Sequence, residues 1–145
     1  MSAREEFWTF SVRVYADVAV PPACLTLQND HGLDVNMLLY CCWLGAHGAR
    51  LDTDLLERAL TFAGPWSAQV VKPLRRARTW MKHDSNARAQ LPADVYTDLR
   101  ESLKTIELEA ERLQQLAIEA RAPPSPPRGR DRNQHESRRE NPHCR

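Results

Sequence analysis

Gln28, Asp30, His31, Asp34 and Asn36 crowd around Gly32, at the joint between two apolar segments of the chain. Carboxylates and amides gathered at the mouth of a buried helix are what a small-ligand site requires, because the helix N-terminus favours anions and the polar groups orient a bound molecule. Gln28, Asp30, Asp34 and Asn36 are therefore the candidate ligand residues. The simpler reading is that they cap: Asp34 accepts from free N–H groups, Asn36 stitches the loop to a neighbour, and Gln28 bonds backbone. Capping is preferred, since no catalytic partner stands at a spacing that defines a reaction class. A deep pocket with two carboxylates facing it would favour a ligand site, and solvent-exposed caps would dismiss one.

Lys72, Arg75, Arg76, Arg78 and Lys82 form the densest positive charge in the body of the chain, with Trp66 and Trp80 nearby. Phosphate contact with stacking uses these residue types, so they are the candidate anion- or partner-binding set. Arg stems also cover apolar surface and pair with acids, and Glu57, Glu101, Glu107, Glu109, Glu111 and Glu119 can supply the pairing. Ion-paired packing is preferred to nucleic acid.

Cys41, Cys42, His31 and His47 lie near one apolar segment, but zinc ligands come in pairs two to four residues apart, and no such pair occurs. A catalytic thiolate needs a stabilising setting, which an apolar helix does not offer. The five glycines are scattered at expected helix ends and form no phosphate loop. No catalytic residue, metal or cofactor follows from the sequence.

These side chains must be positioned by a small domain. The chain has 145 residues, 42% of them hydrophobic, enough for one domain with a real core. The apolar shortfall is local: residues 123–145 are rich in Pro and Arg and cannot bury enough surface to offset the entropy of ordering. The expected division is a domain over 1–122 and a disordered tail over 123–145. Formal charge splits as +3 in the tail and −2 in the body, so the body is not a basic nucleic-acid domain by bulk charge. The first residues carry acids and no apolar signal core, and the cysteines at 24, 41, 42 and 144 read as reduced thiols. A cytoplasmic protein without a membrane span is expected.

The run Met37-Leu-Leu-Tyr-Cys-Cys-Trp-Leu44 has no polar face, so residues 34–45 read as a central helix surrounded by the rest of the domain, with Asp34 as N-cap and Gly45 and Gly48 suited to a left-handed stop. Residues 5–19 form an amphipathic helix, with Phe7, Trp8, Phe10, Val12, Val14, Tyr15 and Val18 on its apolar arc and Ser11 inside it, bonded back to a preceding carbonyl. Pro21-Pro22 starts a short helix with Cys24, Leu25 and Leu27 inward. Residues 52–63 carry a buried stripe of Leu55, Leu56, Ala59, Leu60 and Ala63, ended by Gly64-Pro65. Residues 66–83 form a helix kinked by Pro73 near 69–72, with Val70, Leu74, Ala77 and Met81 on one side. Residues 84–90 read as a polar loop.

From Pro92 the positions Val95, Leu99, Leu103, Ile106, Ala110, Leu113 and Ala117 keep a heptad rhythm, which predicts a long helix to about Arg121. Its seam can pack on the body or, over 95–117, on a second copy as a homodimer; the in-chain reading is preferred. The fold expected is all-α, a compact bundle of about six helices around 34–45, with a long C-terminal helix.

Several segments in this order resemble an uncharacterised proteobacterial family of small proteins, classed only as a domain of unknown function. They are Phe7-Trp8-x-Phe10-Ser11, Val14-Tyr15, Ala23-Cys24-Leu25-x-Leu27-Gln28, Gly32-x-Asp34-Val35-Asn36-x-Leu38-Leu39, Trp43-Leu44, Trp66, Pro73-Leu74-Arg75-x-x-Arg78, and Glu107-Leu108-x-x-Glu111 with Gln114. The resemblance covers roughly residues 5–120. It implies a bacterial, all-helical protein and carries over no catalytic residue. The leading expectation for function is a non-enzymatic module that binds another protein, or itself, through the long helix or the basic helix. A small-molecule binder or enzyme at Gln28, Asp34 and Asn36 is the alternative, and nucleic-acid binding through residues 72–82 and the tail is a weaker one.

Overall fold

The computed structural model describes residues 3–125, and among these every regular element is helical. In order they are α1 (Phe7–Tyr15), α2 (Val20–His31), α3 (Val35–Ala46), α4 (Thr53–Trp66), a wide π turn (Ser67–Val71), α5 (Lys72–His83), α6 (Ser85–Gln90) and α7 (Ala93–Glu119). The all-α architecture and the long C-terminal helix are those the sequence predicts. The expected disordered tail lies, from residue 126 onward, outside the described residues. None of the described helices is long and apolar enough to cross a membrane.

Short side chains set the helix starts. Asp34 Oδ1 accepts from the N–H groups of Asn36 and Met37 at 2.9 and 3.3 Å, Asp52 Oδ1 from Leu55 at 2.8 Å, and Asp84 Oδ2 from Ala87 at 2.8 Å. Gly32, at φ +64°, turns the chain from α2 into α3, a conformation that costs glycine nothing. The core gathers on α3: Tyr40, Trp43 and Leu44 are buried with Phe7 and Phe10 of α1, Leu55, Ala59 and Ala63 of α4, and Ile118 of α7. Phe7 meets Tyr40 edge-on at 5.7 Å between ring centroids, and the Trp43 indole N–H donates to the Glu5 carbonyl at 2.8 Å.

Several expectations need correction. Helix α3 is the core helix but is not sheathed on every side: Cys42 is exposed, and Leu38 and Cys41 are half-buried. Gly45 continues α3, and Gly48, at φ +70°, supplies the left-handed stop instead. Helix α1 is shorter than the 5–19 expected, and Val12, Tyr15 and Val18 of its apolar arc are exposed, as are Leu25 of α2 and Leu60 of α4. Gly64-Pro65 does not end α4. The helix passes through Pro65 into the π turn, whose wider register lies where Pro73 would meet the carbonyl of the preceding turn, and α5 starts with that proline in its first turn. The irregularity thus falls where Pro73 places it, while Ala77 is exposed. Residues 85–90 are a short helix capped by Asp84 rather than a loop.

The largest departure is in α7. Of the heptad positions, Ala110 is buried and Leu103 and Ala117 are half-buried, but Val95, Leu99, Ile106 and Leu113 are exposed. The face turned to the body carries Tyr96, Glu107, Ala110, Gln114, Gln115 and Ile118 instead. Polar partners on the facing helices select that face, as the site shows. Tyr96 pins the start of the helix by donating its hydroxyl to the Met81 carbonyl at 2.7 Å.

Candidate functional site

A cavity of about 690 Å³ opens between α1, the end of α2, the first turns of α3, the π turn and α7. Such a volume is in the range of small-molecule sites. The apolar wall comes from Trp8, Val12 and Tyr15 of α1, Leu33, Val35, Leu39, Val71 and Leu108. Its polar wall comes from Ser11, Gln28, Asn36, Glu111, Gln114 and Gln115, with Asp34, Lys72 and Arg75 at the same cavity.

Ser11, Gln115, Asn36, Gln114 and Asp34 form one directed chain of hydrogen bonds. Ser11 Oγ donates to Gln115 Oε1 at 2.9 Å, Gln115 Nε2 to Asn36 Oδ1 at 2.9 Å, Asn36 Nδ2 to Gln114 Oε1 at 2.9 Å, and Gln114 Nε2 to Asp34 Oδ2 at 2.8 Å. Asp34 sets the direction. An ionised carboxylate only accepts, so Gln114 presents its NH₂ to it and its oxygen to Asn36; the same constraint passes outward to Ser11. Gln114 and Gln115 are 1% and 2% exposed, so every misaligned member would leave a buried polar atom unpaired. A helix that must bury two glutamines turns this face inward, and its apolar seam turns out.

Beside the amides lies an ionic cluster. The Glu107 carboxylate, 6% exposed, accepts from both Arg75 and Arg78 of α5, and Arg75 also donates to Glu111 at 2.7 Å. Burial pushes the Glu111 carboxyl above the ordinary carboxylate range; Arg75 opposes the shift and Glu107 adds to it. The hydrogen bond to Glu107 raises the Arg78 guanidinium. Partial desolvation, with neighbouring Cys24 adding to it, raises the Tyr15 phenol, so it stays neutral at the cavity rim.

The sequence candidates divide. Gln28, Asp34 and Asn36 all line the cavity, and Asp34 also caps α3, whereas Asp30 is exposed on α2 and does not line it. Among the basic candidates, Arg75 and Arg78 turn inward to the glutamates, Lys72 reaches the cavity rim from an exposed position, and Arg76 and Lys82 are exposed. Ser11 bonds across to Gln115 rather than back along its own helix. Sequence reasoning did not single out Glu111, Gln114 and Gln115 as site residues. Their signal was a polar stripe with the 3–4 spacing of a helix face, beside the heptad seam that attracted attention.

The Ser11 hydroxyl is held as a hydrogen-bond donor to Gln115. The Ser11 proton is committed to an amide oxygen, which is no general base, so the hydroxyl is not activated. Spare capacity remains: a second N–H on Gln115, lone pairs on Ser11 Oγ, and the second oxygen of Glu111, which takes part in no hydrogen bond among the described residues. Also among the described residues, no group of three or more His, Cys, Asp or Glu side chains converges to hold a metal ion.

Comparison with known proteins adds one finding. A family model described as a protein of unknown function (DUF2390) matches residues 6–118, from the start of α1 almost to the end of α7. No curated protein and no solved structure matches the chain.

Proposed function

For this chain, which belongs to the DUF2390 family of proteins of unknown function, we propose a non-enzymatic role as a cytoplasmic binding protein for a small amphipathic organic molecule. The observation that carries the reading is the 690 Å³ cavity, in which a buried, directed amide chain meets an aromatic and aliphatic wall. The apolar body of the ligand lies on Trp8, Val12, Tyr15 and Leu108. Its polar end faces Ser11, Gln115 and Glu111, with Lys72 and Arg75 available to an acidic group. That Asp34 and Glu111 both line the cavity supports a ligand site over capping alone. The cysteines among the described residues are free thiols, which suits a reducing compartment.

Anilinonaphthalene sulfonate is a suitable probe, with fused rings for the apolar wall and a sulfonate for Lys72 and Arg75. The full chain is expected to bind it at one saturable site. Val12→Trp and Ala16→Trp, both at exposed rim positions, should weaken binding about tenfold or more by filling the mouth. Ile106→Glu on the far side of α7 should leave it unchanged. Binding that does not saturate, or that ignores both rim variants while far-ultraviolet circular dichroism is intact, would refute the reading.

A further inference from the structure

The outward face of α7 carries Val95, Leu99, Ile106 and Leu113, which are 60, 54, 53 and 44% exposed. Helices of small domains normally turn such a stripe to the core. Here the inward face is taken by Glu107, Gln114 and Gln115, so the stripe is left on the surface of the body. Residues 126–145 contain no Leu, Ile, Val, Met, Phe, Trp or Tyr, so the chain's own C-terminal segment has nothing apolar to lay over it.

We propose that two copies of this chain associate antiparallel through this face of α7, with Ile106 on the two-fold axis. The spacing is a palindrome about that residue: Leu99 and Leu113 stand seven positions away on either side, and Val95 and Ala117 eleven. An antiparallel two-fold therefore sets Ile106 on Ile106, Leu99 on Leu113 and Val95 on Ala117, apolar against apolar throughout. The charges along one edge of the stripe agree. Asp98 of one copy comes beside Arg112 of the other, and this pair occurs twice. A parallel two-fold would instead carry this edge of the two copies to opposite sides of the interface, so that Asp98 and Arg112 could not pair.

The area is also adequate. Four side chains about half exposed, at roughly 100 Å² each, give about 400 Å² of apolar surface, the size of the largest patch on an ordinary domain, which is often functional. A standard interface buries about 800 Å² per partner and is a little over half apolar, so this stripe with its polar edges fills one.

The test is the solution mass of the full 145-residue chain by sedimentation equilibrium. At a concentration on the order of 100 µM, above the micromolar Kd that an interface of this size supports, the parent chain should have twice its monomer mass. Ile106→Glu sets two carboxylates on the axis and should raise Kd by about 100-fold or more, with unchanged circular dichroism because the site is exposed. Asp98→Arg should weaken the pair, and Asp98→Arg combined with Arg112→Asp should restore it. A monomeric parent, a dimer that survives Ile106→Glu, an assembly larger than two, or a double swap that fails to restore would each overturn the proposal. Probe binding in the cavity is read separately, so neither result stands in for the other.

Discussion

Replacing Asn36 with Asp tests the direction of the buried amide chain by changing a donor into an acceptor at nearly constant volume. In the parent, Asn36 Nδ2 donates to Gln114 Oε1 and Asn36 Oδ1 accepts from Gln115 Nε2, both at 2.9 Å. In Asn36→Asp an oxygen faces the Gln114 oxygen, and Gln114 cannot rotate because its NH₂ is held by Asp34. The bond returns only if the new carboxyl is protonated and donates. Burial and the neighbouring Asp34 carboxylate act in the same sense, so its pKa in the folded state lies above the ~3.9 of an unfolded aspartate.

An acid whose pKa is raised on folding holds its proton more tightly in the folded state. Stability is therefore retained below the unfolded pKa and lost as pH rises toward the folded one, at about 1.4 kcal/mol per pH unit. For a rise of about two to three units, ordinary for a buried carboxyl, the extra loss between roughly pH 4 and pH 7 is about 3–4 kcal/mol. Asn36→Leu is the control: it leaves the Gln114 oxygen and the Gln115 NH₂ unpaired at any pH and should cost about 2–4 kcal/mol throughout. Urea unfolding followed by circular dichroism, for the parent and both variants across about pH 4 to 7.5, measures these differences. A loss for Asn36→Asp that is the same at both ends of that range would refute the directed chain, as would an Asn36→Leu loss that follows pH equally steeply.

The ionic cluster and the core make further tests. Glu107→Gln removes the negative charge shared by Arg75 and Arg78 and turns an NH₂ donor toward one of them, and should cost about 3 kcal/mol in urea unfolding, because Arg78 loses its carboxylate partner and Arg75 keeps only Glu111; a loss under about 0.5 kcal/mol would make the cluster a surface feature. Glu111 has a carboxyl raised by burial, so its contribution falls as pH climbs from the ordinary carboxylate value to the folded one. Glu111→Gln should accordingly gain stability relative to the parent over that interval and level off above it, and a flat difference would remove burial as the cause. The Tyr40 hydroxyl is buried without a hydrogen-bond partner among the described residues. Tyr40→Phe should therefore be neutral or stabilising by up to about 2 kcal/mol in thermal melts, and a clear loss would mean the hydroxyl is paired.

The local rules of the chain settled most of its helices. Asp34 and Asp52 cap where short acceptors precede apolar periodicity, Gly32 turns where only glycine is unstrained, and the wholly apolar run ahead of Leu44, rich in Leu and Met rather than β-branched residues, favours the core helix over a buried strand. These depend on neighbours within a turn, so the residues alone state them. The joint at Gln28, Asp34 and Asn36 was legible as a polar cluster for the same reason.

What the cluster faces was not legible, because Ser11 is 104 positions from Gln115 and Asn36 is 78 from Gln114. Only the tertiary structure brings them together and decides that the amide face of α7 turns inward while its heptad seam turns out. Periodicity measures how apolar each face of a helix is. It does not measure whether a polar face finds a complete set of partners. Here Asp34, Asn36, Arg75 and Arg78 supply that set, and the price of leaving two glutamines and a glutamate unpaired outweighs the gain from burying four aliphatic side chains.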